Sequence, residues 1–168
     1  MNDVARQMVH FPVGSRLFNY RAAAIAMRDR HVLVCREGED DYVMLPGGRV
    51  ELGESSMEAL ERELAEELQS PSTIGRLAYT VENFFFHDGK QVHELGAYYL
   101  IDLPATFPFS RSGVVHQTED AGLRLHFEWV DVDGGGLLER HLRPRFMIDQ
   151  LRRLPEATEH LIFHERHK

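Results

Sequence analysis

The chain has 168 residues, 43% of them hydrophobic, a length that allows one domain burying roughly 70% of its unfolded surface. Its net charge of −8 and pI near 5.7 exclude a general electrostatic grip on nucleic acid, and an anionic small molecule would need a local cation. The sole cysteine, Cys35, excludes an internal disulfide, and its apolar setting in His31-Val32-Leu33-Val34-Cys35 reads as a buried thiol in a reducing compartment rather than a nucleophile.

At the N-terminus, Met1-Asn2-Asp3-Val4-Ala5-Arg6 has neither the basic start nor the apolar run of a secretory signal, and no later stretch is apolar for the length of a membrane span. A cytoplasmic protein with no membrane partner is expected, a single domain over 1–168 with its core at about 18–153. Residues 18–27 include Ala22, Ala23, Ala24, Ile25 and Met27, a run that reads as a strand covered on both faces. After the turn Arg28-Asp29-Arg30, Val32 to Cys35 makes a second strand, and Tyr42 to Leu45 a short third. Pro46-Gly47-Gly48 and Gly53 then punctuate a loop. It ends at Ser55-Ser56-Met57-Glu58, which has the form of a capping box and opens a helix running to about Gln69, before Pro71.

Strands at 76–86 and 92–102, joined by His87-Asp88-Gly89-Lys90, make a long hairpin carrying Phe84, Phe85, Phe86, Tyr98 and Tyr99. Residues 104–122, rich in Pro, Ser, Gly and charge, read as an irregular surface excursion. Residues 123–130 alternate as a strand, and 145–154 set Phe146, Ile148, Leu151 and Leu154 at near-helical spacing. This order predicts an α/β fold in which a mixed β-sheet is sandwiched between helices.

Within the helix, Met57, Leu60, Leu64 and Leu68 are expected on the stripe that packs against the sheet, with Glu63, Glu66 and Glu67 as an acidic patch on the opposite side. Like charges this close cost a few tenths of a kcal/mol per pair, and their place near the helix C-terminus opposes the dipole. A cation is wanted, and a hard divalent ion that takes carboxylate oxygens and also phosphates would supply it. Alone, such a helix is more often a solvated face, with Glu58 to Arg62 and Arg62 to Glu66 as ordinary ion pairs.

The loop in front decides between these readings. Gly48, five residues, Glu54, seven residues and then Arg62-Glu63-Leu64-Ala65-Glu66-Glu67 resembles the Nudix box, with a chance probability of about 10⁻⁶ across the chain on average residue frequencies. The box's last two positions depart, Gln69 standing where the family has Gly and Ser70 where it has an aliphatic residue, so a locally different helix exit is expected. Leu45-Pro46-Gly47-Gly48, Glu128-Trp129-Val130 and Leu142-Arg143-Pro144 extend the likeness over about 18–153.

The resemblance implies a Nudix-like α/β/α sandwich and a Mg²⁺-dependent hydrolase, with Mn²⁺ as a substitute metal, that cleaves a phosphoanhydride bond in a nucleoside diphosphate linked to another moiety. It implies that Glu63, Glu66 and Glu67, with the backbone carbonyl of Gly47, hold the metal, and that Glu63 or Glu66 is the base. Arg62 would pair with Glu54 or a ligand carboxylate and hold the acidic side chains in place. Glu128 resembles a position that adds a metal ligand or base in some members, and reads equally as a strand-edge carboxylate.

Glu82, Asn83 and Glu94 on the hairpin are weaker candidates for the site, and its aromatics read as core before nucleobase platforms. His93-Glu94 lacks the second histidine of a zinc-protease helix, and His160 and His164 read as solvated residues of a frayed tail. The alternative function is a Nudix-fold module that binds or senses a nucleotide without cleaving it. A nucleic-acid-directed hydrolase would want a basic groove, which the acidic balance argues against. The partner expected is a small nucleotide-type molecule, with oligomeric state left open, a homodimer included.

Overall fold

In the computed structural model, which describes residues 6–165, the chain orders its elements around a mixed sheet. The reading of Met1 to Ala5 as lacking a leader lies outside the described residues. Strands β1 (His10–Val13), β2 (Arg16–Arg28), β3 (His31–Glu37) and β4 (Gly47–Arg49) precede helix α1 (Ser56–Leu68). Then come β5 (Thr73–His87), β6 (Lys90–Asp102), β7 (Val114–Asp120) and β8 (Leu123–Asp131), the short helices α2 (Gly136–Glu139) and α3 (Met147–Arg152), and β9 (Glu159–His164).

The main path of the sheet runs β7-β8-β3-β2-β6-β5-β9, with β1 and β4 also on β2. The β2·β6 and β5·β9 pairings are parallel and the others antiparallel. Alternate residues of β2 explain why both sheet faces are covered. Ala22, Ala24 and Ala26 join Leu60, Leu64 and Leu68 of α1 on one side, while Ala23 and Ile25 join Leu137 of α2 and Met147 and Leu151 of α3 on the other. Each large side chain removed from water here contributes roughly 1.5–3 kcal/mol. The α/β/α sandwich follows, with two apolar clusters in place of a single core. Cys35 lies on the α1 side, 5% exposed, with its thiol pKa pushed up by burial. Cys35→Ser is accordingly expected to cost about 1–3 kcal/mol of stability for a buried hydroxyl and leave turnover near wild type; a thousandfold fall in kcat with the fold intact would overturn that assignment.

Several local expectations change. The short strand at 42–45 is a single bridge at Met44, which meets Cys35 and Arg143, and the paired segment is the glycine run that follows it. Within residues 104–122, Val114–Asp120 is ordered as strand, because the Ala121-Gly122 turn, with φ of 47° and 81°, folds β7 back onto β8. The rest of that segment is pinned from below. Arg28 donates to the carbonyls of Leu103, Pro104 and Phe107, and Phe107 is buried among Trp129 and its neighbours.

His160 and His164 belong to β9 rather than to a frayed tail: His160 meets Glu82 at 2.9 Å, and His164 stacks on Phe84 with centroids 4.5 Å apart. Met57, 40% exposed, stays outside the core. Among the described residues no helix is long and apolar enough to cross a membrane.

Candidate active site

The helix that carries the carboxylates is fixed at both ends by local chemistry. Ser55 accepts from the Glu58 N–H while the Glu58 carboxylate accepts from the Ser55 N–H, a reciprocal cap of about 1 kcal/mol. At the far end Gln69 adopts φ 48°, the left-handed turn a glycine would take, so the exit keeps its backbone shape despite the changed residue.

Strand β4 brings the loop to this helix through its glycines. Gly47 pairs with Ala23 and Gly48 with Ala22. Gly47 has φ 136°, and a Cβ there would lie 2.2 Å from the Ala22 carbonyl oxygen. A Cβ on Gly48 would lie 2.3 Å from the Glu63 carboxylate. Both glycines are required because backbone and carboxylate approach where a side chain would stand.

Glu63 and Glu67 do not face water opposite the leucines. At 100° per residue Glu67 lies only about 20° from Leu60, and both acids sit on the sheet side, 9% and 5% exposed. Glu67 accepts the Gly47 N–H at 3.1 Å and, among the described residues, has no ion pair. Its own backbone carbonyl meets the His116 ring at 3.2 Å, which ties the helix end to β7. Burial pushes the Glu67 carboxyl up to about 8, against the pull of Arg21. Burial also raises Glu63, against the hydrogen bond from Arg62.

Arg62 ties the acidic side chains to one another and to the loop. It donates to both oxygens of Glu54 at 3.0 and 3.1 Å, to Glu63 at 2.6 Å and to the Arg49 carbonyl at 3.2 Å. Glu66 is the open member of the trio, its side chain 41% exposed and 3.8 Å from Arg62.

The structure thus gathers Gly47, Gly48, Glu54, Arg62, Glu63, Glu66 and Glu67 at one place. Among the described residues no three His, Cys, Asp or Glu side chains stand close enough together to enclose an ion as they are. The donor set nevertheless fits a hard divalent cation in its chemistry. It is all oxygen, it sits against a glycine cradle, and Glu67 is a carboxylate held out of water with no ion pair among the described residues.

Other candidates lie elsewhere. Glu128 shares a face of β8 with Val130, on the side of α2 and α3, and is held by Arg140 at 2.8 Å, so it does not join the acidic helix. The strand's alternation decides this, since Leu125, Phe127 and Trp129 take the α1 side. Glu82 meets His160, and Glu94 accepts from Asn19 at 2.6 Å on the face away from α1. Asn83 is buried on β5, two strands from β2. Tyr98 and Tyr99 are buried, and Phe84 is sandwiched between His93 and His164.

The sequence reading missed a polar group formed by Asn19, Arg21 and Arg49. Its signal was a lone arginine opening the apolar run Arg21-Ala22-Ala23-Ala24-Ile25, where a strand covered on both faces has no use for a charge.

Comparisons with known proteins identify the family and the fold. The family model for the NUDIX domain matches residues 18–146. Among solved structures, a UDP-X diphosphatase is similar with a TM-score of 0.59 and 19% identity, over 85% of this chain and 66% of that one, just under two thirds of its length. An ADP-ribose pyrophosphatase from Streptococcus suis gives 0.56 and 12%, over 86% of this chain and 98% of that one. A NUDIX hydrolase from Nitrosomonas europaea gives 0.56 and 13%, over 98% of both chains. At these identities the likeness is one of fold. No curated protein matches the sequence.

Proposed function

Since this chain belongs to the Nudix family, we propose that it is a Mg²⁺-dependent pyrophosphohydrolase that cleaves the phosphoanhydride bond of a nucleoside diphosphate linked to another moiety. The observation that carries this reading is the pair of buried carboxylates, Glu63 and Glu67, set against the Gly47-Gly48 backbone. Burying two acids side by side is costly without a cation, and a solvated helix face would not do it. The UDP-X diphosphatase and ADP-ribose pyrophosphatase with the same fold support the substrate class. A cytoplasmic location follows from the reducing setting expected for Cys35.

Glu63, Glu66, Glu67 and the Gly47 carbonyl would hold the metal, with Mn²⁺ as a substitute. Bound there, a divalent ion offsets charge on the bridging phosphates and favours deprotonation of a nearby water. The protein's own groups do the rest. Arg62, pinned on Glu54, holds the Glu63 carboxylate in one orientation. Of the two candidate bases, Glu66 is open to solvent and would orient the attacking water, whereas Glu63 is already engaged by Arg62.

Chelation tests the reading. Activity on a panel of dinucleotides, nucleotide sugars and nucleoside triphosphates should vanish in excess EDTA and return with Mg²⁺ or Mn²⁺, releasing a nucleoside monophosphate. Full turnover in EDTA would refute the metal. Tight nucleotide binding without turnover of any substrate would favour the sensing module instead.

A further inference from the structure

Arg21 and Arg49 are register partners on the adjacent strands β2 and β4. Directly opposed residues on antiparallel strands lie about 4.5–5.5 Å apart at Cα, so two guanidinium groups from such a pair can reach a single anion. Each keeps at least one guanidinium nitrogen without a hydrogen-bond partner among the described residues. Arg21 uses Nη2, which donates to the carbonyls of Leu45 and Gly47 at 3.3 Å each. Arg49 donates from Nε to the Asn19 Oδ1 at 3.1 Å, and its Nη1 rests 3.9 Å from the Met8 sulfur.

Neither arginine forms an ion pair among the described residues, although the protein carries a net charge of −8. Asn19 is the reason for Arg49. It donates to the buried Glu94 carboxylate at 2.6 Å while accepting from Arg49, so the asparagine stands between an acid and a base that could otherwise have met. The His10 ring approaches the same Asn19 oxygen at 3.1 Å and helps to fix it. Two cations side by side, held apart from the available carboxylate, repel each other by an amount that an anion between them would reverse.

We propose that Arg21 and Arg49 together bind a phosphate group of the substrate, beside the carboxylate cluster rather than within it. The proposal rests on reading the site as that of a phosphoanhydride hydrolase. Gly47 joins the two parts, because its N–H is taken by Glu67 and its carbonyl by Arg21. By the alternation of β2, Arg21 and its register partner Arg49 rise on the face away from α1, so a diphosphate that reaches both groups crosses the glycine strand at Gly47, with acidic groups on one side and guanidinium groups on the other. This answers how an acidic protein holds a polyanion: the cations for the second phosphate belong to the chain.

The test is calorimetric titration of the full-length protein with α,β-methylene-ADP, which cannot be cleaved at the phosphoanhydride, alongside a separate titration with Mg²⁺ alone. Arg21→Met and Arg49→Met are each expected to weaken the analogue at least tenfold. Mg²⁺ affinity of Arg49→Met should stay the same or tighten, since its side chain bonds none of the groups proposed to hold the metal, whereas Arg21→Met is read for the analogue alone because Arg21 bonds the Gly47 carbonyl. Thermal melts establish that each variant is folded, and Arg49→Met, which is exposed, serves if Arg21→Met is not. Unchanged analogue affinity in a folded Arg49→Met protein overturns the proposal, as does failure of the wild type to bind the analogue. A fall in Mg²⁺ affinity in Arg49→Met also overturns it, because that arginine would then act through the carboxylates. If the wild type binds the analogue but cleaves no substrate of the panel in saturating Mg²⁺, the hydrolase reading fails while the arginine variants still report on this one.

Discussion

Replacing Glu67 by Gln is expected to cut turnover at least about a hundredfold while making the metal-free protein more stable, and Glu66→Gln should lose activity on the same scale with little change in stability. The two differ because of where the helix places them. Glu67 is 5% exposed and, among the described residues, accepts only the Gly47 N–H, a bond an amide oxygen can replace, so the substitution removes a buried charge without orphaning its donor. Glu66 lies at the solvent edge, where one charge less hardly changes the folded state.

The pH profile of the metal-free protein carries the sign. Burial raises the folded pKa of Glu67 to about 8, above its unfolded value of about 4.3. The native state therefore holds this proton more tightly. The resulting stability is fully present below about pH 4 and is lost as pH rises through about 8. Denaturant melts in EDTA should show stability falling across that window in the wild type and falling less in Glu67→Gln. Saturating Mg²⁺ should reverse the loss. A Glu67→Gln protein with near-normal rate, or no less stable at low pH relative to high pH than the wild type, would remove Glu67 from the site.

How much of this was legible depends on the range over which each signal acts. The capping box at Ser55 and Glu58, the Asp88-Gly89 turn with φ of 48° and 74°, and the spacing from Gly48 to Glu67 are local patterns with one structural solution, and the sequence carries them in full. The side of the helix that Glu63 and Glu67 occupy was misjudged, since hydrophobicity ordinarily marks the buried stripe and these acids lie beside its leucines. Strand β9 was hidden for a related reason. Leu161 and Phe163 alternate correctly toward the core, but His160 and His164 make the segment look like a polar tail until the parallel pairing with β5 is known. The Glu128 and Arg140 pair and the register match of Arg21 with Arg49 are long-range, set by strand order and alternation that no local window contains.

The two glycines of the β4 strand separate scaffold from site more sharply than any other pair of positions. Gly47→Ala should destabilise the protein by about 3 kcal/mol or more, because the new Cβ meets the Ala22 carbonyl oxygen at 2.2 Å and the residue is held at φ 136°. The obstacle is backbone of the central strand β2, which pairs with β3 and β6 as well as β4 and has no room to yield. Gly48→Ala meets a different obstacle. Its Cβ would lie 2.3 Å from the carboxyl group of Glu63, the far end of a side chain that can swing aside. The fold should therefore survive with a melting temperature within a few degrees of wild type, while Glu63 moves by about an ångström. A displacement of that size in a catalytic constellation can cost about a hundredfold in rate. The expected result is a Gly48→Ala enzyme that is folded and nearly inactive, against a Gly47→Ala protein that is poorly folded. Both variants can be compared by thermal melts and by kcat at saturating Mg²⁺. Wild-type turnover in a folded Gly48→Ala protein would mean that the position of the Glu63 carboxylate does not matter to the chemistry, and Glu63 would then leave the catalytic set.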